Sequence, residues 1–454
     1  MSYRTYNFSL VVNYGFSANT FYATHTKAVT KYFLLTKLGS NDILIKNGIT
    51  MRMRGEMAKD VAKTRKISKG TLAMVITLAV LFFLLILMLI LRTNQAICEF
   101  VCSRLVNAYQ VVAGKFYSVT SVNIFEILVT LAILFALASI ISAIVFFCKK
   151  KKVLSNRIML ALLIVCVCTA NLYIFTAGFA YNREAAPVDA YQGEISKDFA
   201  LKSFVTLIDD LNACYQDIGK YNDDGSVVSP YGEKQLNEKI RQAVDNVLTD
   251  EYYYDYTPKA KPIISSGVMT LNRIAGITFL PTCEPGYNRD MPIVDSAHTI
   301  AHEFAHTKGV MREYEANLVG AYVLLNSGDA FLKYCGYIYA ISYVYEIIKY
   351  DETYFENVEA YPIPEGFRQD NKKIYNWWIS QPSLGNIGEF FNDLYLKING
   401  QEDGTGSYEE TPDTDDIIIE GGDGEPDRYL TVITKYTNMH RMLVAYATSL
   451  SPRL

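Results

Sequence analysis

The chain has 454 residues, half of them hydrophobic, and a formal net charge of −4. That length allows two or three domains, and the apolar share is too high for an average soluble protein. The slightly acidic balance speaks against a nucleic-acid-binding role, so no nucleic-acid partner is expected.

Residues 1–50 are rich in Tyr, Phe, Thr and Asn without sustained periodicity. They read as an N-terminal extension translated from an early start, because Met51, Met53 and Met57 can each open the segment that follows. Residues 51–70 form a basic flank, with seven Lys or Arg between Arg52 and Lys69. Next come Thr71 to Leu91, Ile127 to Cys148 and Ile158 to Tyr181, uncharged runs of 21, 22 and 24 residues. Each is long enough to cross a hydrocarbon core of about 30 Å at about 1.5 Å per residue, so residues 71–181 are expected to place three helices in the lipid bilayer. No cleavable leader is needed, because an uncleaved first span can direct insertion.

Lys149 to Lys152 and Arg157 lie between the second and third runs, whereas only Arg92, Arg104 and Lys115 lie between the first and second. The positive-inside rule then puts the N-terminus and the Lys-rich loop in the cytoplasm and residues 182–454 outside. The expected location is the cell membrane, with three spans. Asn171 is the one strongly polar residue inside them, and no ionisable pathway is present.

The outer part divides coarsely. Ile195 to Leu248 reads as a helical approach and Tyr252 to Pro262 as a Tyr-rich, turn-prone link. Ala275 to Leu280 is a short apolar run ahead of Pro281, Pro285 and Gly286, and so a strand. Then comes His298-Thr-Ile-Ala-His302-Glu303-Phe-Ala-His306, which holds three of the five histidines. Asp295 or Ser296 can cap a helix starting after Pro292, and Gly309 can end it in a left-handed turn. On that helix, His302 and His306 face the same way and can grip one metal ion, while Glu303 is placed to take a proton from water held there.

The pattern is that of a zinc metallopeptidase, in which Zn²⁺ takes three protein ligands and leaves a position open. His298 is unsuited as the third, because histidines eight apart are about 12 Å distant along a straight helix. It is expected beside the site or in the cleft. Past Gly309, a reversed chain could return a carboxylate to the metal, and Glu313 and Glu315 both qualify.

The sextet Arg312-Glu313-Tyr314-Glu315-Ala316-Asn317 resembles the R-E-[FY]-x-A-D helix of membrane gluzincins such as the prenyl-protein protease group. That resemblance implies Glu313 as the zinc ligand and Asn317 as the brace of a zinc histidine. Two departures stand out: Asn replaces the usual Asp, a weaker acceptor for an imidazole, and only six residues separate His306 from Glu313. A broader resemblance rests on Gly276-Ile-Thr-Phe-Leu-Pro281-Thr-Cys-Glu284, Thr299 to Gly309, Arg312 to Asn317, Asn326-Ser-Gly-Asp329 and Asn392 to Gly400. By these the chain resembles a bacterial membrane family catalogued as domain of unknown function 3810, known mainly for its zincin-like motif.

By analogy with zincins, the strand near the metal helix is a candidate to hold extended substrate by backbone pairing, through Ile277, Thr278 and Phe279. Leu318 to Leu325 and Phe331 to Ile348 read as a helical pair broken at Asn326 to Asp329, the second too short between Lys333 and Glu346 to span a bilayer. A tyrosine of that pair, His440 or Arg441 could stabilise an oxyanion, and nothing in the sequence selects one. Residues 402–427 carry eleven carboxylates and no Lys or Arg, and read as a solvated loop. The eight cysteines form no framework and no C-x-x-C pair.

The expectation is thus a mainly α chain: three N-terminal transmembrane helices, then an α-rich (α+β) zincin-like extracytoplasmic domain, residues 182–454. His302, His306 and Glu313 would hold Zn²⁺, Glu303 would act as base on a peptide or protein substrate, and Glu315, Asn317 and His298 would support or substitute. Two other classes stay open: a zinc-binding sensor or binding module without turnover, and an accessory protein whose function lies in the spans.

Overall fold

A computed structural model describes residues 68–349, 358–384, 386–401, 403–410, 413–419 and 428–451. The expected extension and most of the basic flank, residues 1–67, lie outside the described residues.

Three helices are long and apolar enough to cross a membrane: α1 (Lys69–Leu91), α4 (Ile124–Cys148), and α5 (Lys152–Tyr173), which continues to Asn182 through a π-helical turn, Ile174–Gly178, and a 3-10 turn. Their apolar side chains point outward almost everywhere, and none of α1 is buried. Exposed apolar surface of this extent marks a contact with lipid or with another protein. Asn171 donates to the carbonyls of Leu81 and Val167, so the polar residue within the spans joins the third helix to the first. At the basic end, Arg157 of α5 donates to Thr71 of α1.

The connection between the first two spans is helical: α2 (Gln95–Phe100), a π-helical stretch (Val101–Val106) and α3 (Asn107–Tyr117). Its buried stripe of Cys98, Cys102 and Val106 packs with Phe179, Tyr254 and Met311, and this tertiary burial overrides the weak local signal.

The helical approach resolves into α6 (Lys197–Ile218) and α7 (Glu233–Val247), separated by a turn in which Tyr221 bridges Val227. A small sheet follows, from β1 (Lys261–Pro262), β2 (Gly276–Phe279) and β3 (Glu284–Tyr287), in the order β1-β3-β2, with α8 (Ser266–Leu271) between the first two. β2 is antiparallel to β3 and forms a sheet edge, with Ile277 opposite Gly286 and Thr278 opposite Pro285.

Against it lie α9 (Ile293–Thr307), α10 (Glu313–Leu325) and α11 (Ala330–Glu346). α9 starts behind Pro292 with no side-chain cap, and Asp295 instead accepts from the Trp378 indole. Gly309 ends the turn after α9 in the left-handed region, at φ +92°. The break before α11 is capped by Asp329, which accepts from Phe331 and Leu332. α11 is a core helix, its Tyr334, Cys335 and Tyr337 fully buried. These helices share one core with α6, α7 and α14 (Asn438–Leu450).

Two further helices, α12 (Glu365–Ser380) and α13 (Asn386–Ile398), precede the acidic stretch. That stretch is not a loop throughout. Residues Gly404–Tyr408 form a 3-10 turn, and β4 (Asp413–Ile419) pairs antiparallel with β5 (Arg428–Lys435), Ile417 opposite Leu430. The β-branched Ile417-Ile-Ile419 favours a strand despite the flanking carboxylates. Residues 420–427 lie outside the described residues.

A buried ion pair ties the sheet to the second span. Lys261 on β1 pairs with Glu284 on β3, both about 1% exposed. Glu284 also accepts from the backbone N–H groups of Ile124 and Phe125, which open α4, while Lys261 donates to the carbonyls of Tyr117 and Val122. The pair satisfies orphan groups at the ends of two helices at once.

Candidate metal centre

His302 and His306 lie on the buried face of α9, one turn apart, with their rings 4.6 Å apart and nearly perpendicular. Glu313 opens α10 after the Gly309 turn has reversed the chain, and its Oε2 lies 3.2 Å from His302 Nε2 and 3.6 Å from His306 Nε2. Two ligands on tetrahedral corners about 2 Å from a zinc ion are roughly 3.3 Å apart, so this spacing fits a shared metal. Among the described residues this is the group of three His, Cys, Asp or Glu side chains whose donor atoms converge, all within 4.8 Å.

The other imidazole nitrogens are tied down. His306 Nδ1 donates to the Val310 carbonyl at 2.7 Å, and His302 Nδ1 meets Asn317 Oδ1 at 2.8 Å. The Asn317 amide nitrogen donates to the Tyr408 carbonyl, which turns its oxygen toward His302 and makes that imidazole nitrogen the donor. Each Nε2 is thereby left as the metal-facing atom, the arrangement typical of metal histidines. Asn in place of Asp keeps the acceptor and gains an anchor in the 3-10 turn.

Glu315 takes no part. It is buried against Arg312, whose guanidinium pairs with it at 2.8 Å and also donates to the carbonyls of Arg183 and Glu184. Of the two glutamates the sequence left open, only Glu313 reaches the histidines. His298 lies one turn before His302, stacked on Tyr339 at 3.6 Å, with Nε2 on the Asn317 carbonyl. Burial holds it neutral, its pKa lowered to about 3.

Glu303 lies beside the donors and reaches β2. The Thr278 hydroxyl donates to its Oε2 at 2.7 Å, and Gly276 packs so closely that an added Cβ would lie 2.3 Å from Oε1. Burial raises the Glu303 pKa, with the histidines opposing. The Thr278 side chain thus holds Glu303. Phe279 stacks on Phe125 at the start of the second span, and of the three strand residues Ile277 is the exposed one. Gly276 is a site residue that sequence reasoning used only as part of a motif.

In the metal-free state the triad carries an internal ion pair. Burial alone would depress His306, but the Glu313 carboxylate outweighs it and raises the pKa to about 9. Burial would likewise raise Glu313, yet His306 and His302 hold it down at about 2.

Tyrosines from outside the expected pair approach this charge. Burial and the Glu313 and Glu303 carboxylates raise the phenols of Tyr395 and Tyr408. Tyr395 is hydrogen-bonded to Tyr173 and Tyr181 at the end of the third span. His440 is committed elsewhere, fully buried in a capping box with Thr437 and bonded to Glu346, and Arg441 donates to Tyr191 and Gly193. Neither partner set includes a triad residue.

The molecule is thus a mainly helical chain with three membrane-length helices and a buried His-His-Glu group of metal-binding type. Residues 103–414 match the family described as "Protein of unknown function (DUF3810)", and the chain belongs to that family. No curated protein and no solved structure matches it.

Proposed function

We propose that this chain is a membrane-anchored zinc metallopeptidase with a zincin-like domain, hydrolysing a peptide or protein substrate outside the cytoplasm. The observation that carries the reading is the placing of Glu303. It is a buried carboxylate one residue from a metal-type histidine, fixed through one oxygen by Thr278 and hemmed in by Gly276, beside but not within the converging donors. A purely structural metal site is normally closed by a fourth protein ligand and needs no such group.

His302, His306 and Glu313 would hold zinc, which when bound would acidify a water and polarise a scissile carbonyl. Glu303 Oε1, the oxygen not engaged by Thr278, would take the proton and pass it to the leaving amine. Its raised pKa suits a group that must hold a proton between the two transfers. The open edge of β2 would align an extended substrate through its backbone, with Ile277 toward the side-chain pocket. Tyr395 or Tyr408, whose phenols burial and the Glu313 and Glu303 carboxylates hold protonated, would donate to a developing oxyanion.

The orientation is supported by charge and packing together. Lys69, Lys149 to Lys152 and Arg157 gather at one end of the helices, while the sheet packs on the start of the second at the other. The test is Glu303→Gln in the full-length protein, assayed on a mixed peptide pool. Metal should be retained and hydrolysis lost; undiminished cleavage would overturn the assignment.

A further inference from the structure

Beyond the spans, the exposed large apolar side chains are not scattered. Among the described residues after Asn182, all but Tyr221, Val228 and Leu450 fall within residues 264–277 and 375–398. From these we infer a second membrane-contacting surface: the strip formed by Ile264, Val268, Leu384, Phe390, Leu394 and Ile398 lies in the interfacial layer of the bilayer and seats the metal centre at the membrane surface.

Its two ends are fixed to the start of the second span and to the end of the third. At one end, Glu126 in the first turn of α4 accepts from the backbone N–H groups of Ile264 and Ser265 at 2.9 and 3.0 Å, which brings Ile264, and Val268 one turn on, to the mouth of the second span. At the other, the Tyr395 hydroxyl lies 3.1 Å from that of Tyr173, the last residue of α5, and 3.2 Å from that of Tyr181. The middle is continuous, because Leu384 donates its N–H to the Leu271 carbonyl and so joins the approach to α13 onto α8.

Within α13, Phe390, Leu394 and Ile398 recur every four residues and form one stripe, each at least 43% exposed, while Leu396 on another face is fully buried. Glu389, Asn392, Asp393 and Lys397 supply the polar flank. A helix with a polar side and a ridge of large apolar residues, tethered at the level of a span terminus, has the make-up of one lying in the membrane plane. Lipid is the occupant that fits, since the strip is continuous with helices long and apolar enough to cross a membrane. The same α13 carries Tyr395, so the helix with the lipid-contacting ridge is also the one bonded to the end of the third span.

The experiment uses the full-length protein in liposomes of phosphatidylcholine brominated at defined acyl positions, which quenches tryptophan by contact. Phe390→Trp, Leu394→Trp and Ile398→Trp are made singly, and the parent's signal from Trp377 and Trp378 is subtracted. Leu134→Trp in the second span and Leu450→Trp on the last helix serve as references. Since interfacial helices sink about 5–10 Å, each strip tryptophan should lose roughly half its fluorescence, most strongly with bromines near the headgroup end, while Leu450→Trp stays near the unbrominated value. Strip tryptophans quenched no more than Leu450→Trp would overturn the inference. This readout needs no turnover, so it stands apart from the peptidase reading.

Discussion

Replacing Gly276 by Ala adds one methyl group at the point where β2 meets the candidate base. The new Cβ would lie 2.3 Å from Glu303 Oε1, 2.7 Å from its Cγ and 2.8 Å from its Cδ. Ordinary carbon–carbon contact begins near 3.5 Å, so either the strand or the glutamate must retreat by about 1 Å. Because Cγ as well as the tip is struck, rotating the carboxylate alone does not relieve the clash. Overpacking of this kind costs about 1–3 kcal/mol, and misplacing a catalytic group by about 1 Å costs roughly 100-fold in rate. The three atoms nearest the added methyl group all belong to Glu303, so His302, His306 and Glu313 should still bind metal. Gly276→Ala is therefore expected to keep its zinc stoichiometry, lower the melting temperature in detergent by several degrees and reduce peptide hydrolysis about 100-fold. A variant with unchanged melting and turnover would show that Glu303 is not held against β2.

Four other outcomes follow from the structure. Asn317→Leu, which removes the acceptor for His302 Nδ1, should weaken zinc affinity about 10- to 100-fold in a competition titration, whereas Asn317→Asp should bind at least as tightly as the parent. Because His306 is raised to about 9 in the metal-free protein, it carries a proton at pH 7 that metal must displace; between pH 8 and 6 the apparent zinc affinity should fall about tenfold per unit, and calorimetry in buffers of different ionisation enthalpy should report a released proton. The same shift stabilises the metal-free fold fully below the unfolded pKa of about 6.5 and is lost as pH rises through 9, so metal-free protein should melt lower at pH 9.5 than at pH 7, a difference that zinc should abolish. Glu284→Ala strands the buried Lys261 and frees the start of α4, and should cost about 3–5 kcal/mol, while Glu284→Ala with Lys261→Met should recover much of that loss in thermal melts.

The site was largely legible because its core is local. His302, Glu303 and His306 sit at helical spacing on one uninterrupted helix, and a motif that short fixes its own geometry. Glu313 against Glu315 was not decidable from chemistry, since both are carboxylates just past the same turn. It is the partnering of Glu315 with Arg312, and of Arg312 with the chain at Arg183 and Glu184, that excludes one of them. The orientation of Asn317 depends on the Tyr408 carbonyl, 91 residues away. Nor could spacing show that Thr278 turns to Glu303, because alternation along a strand gives the face and not its partner. The three long apolar helices were legible from length and apolarity, but the helices between the first two were not, because their burial comes from Phe179, Tyr254 and Met311. In the acidic stretch the charge run hid β4, whose pairing is set by β5.

The most direct test is the metal content of the full-length protein purified in detergent, beside His302→Ala, Glu313→Ala and Glu315→Gln. The account predicts about one zinc per chain in the parent and in Glu315→Gln, and loss of zinc from the other two variants. A folded parent without zinc after exposure to it, or zinc that survives Glu313→Ala but leaves with Glu315→Gln, would contradict it.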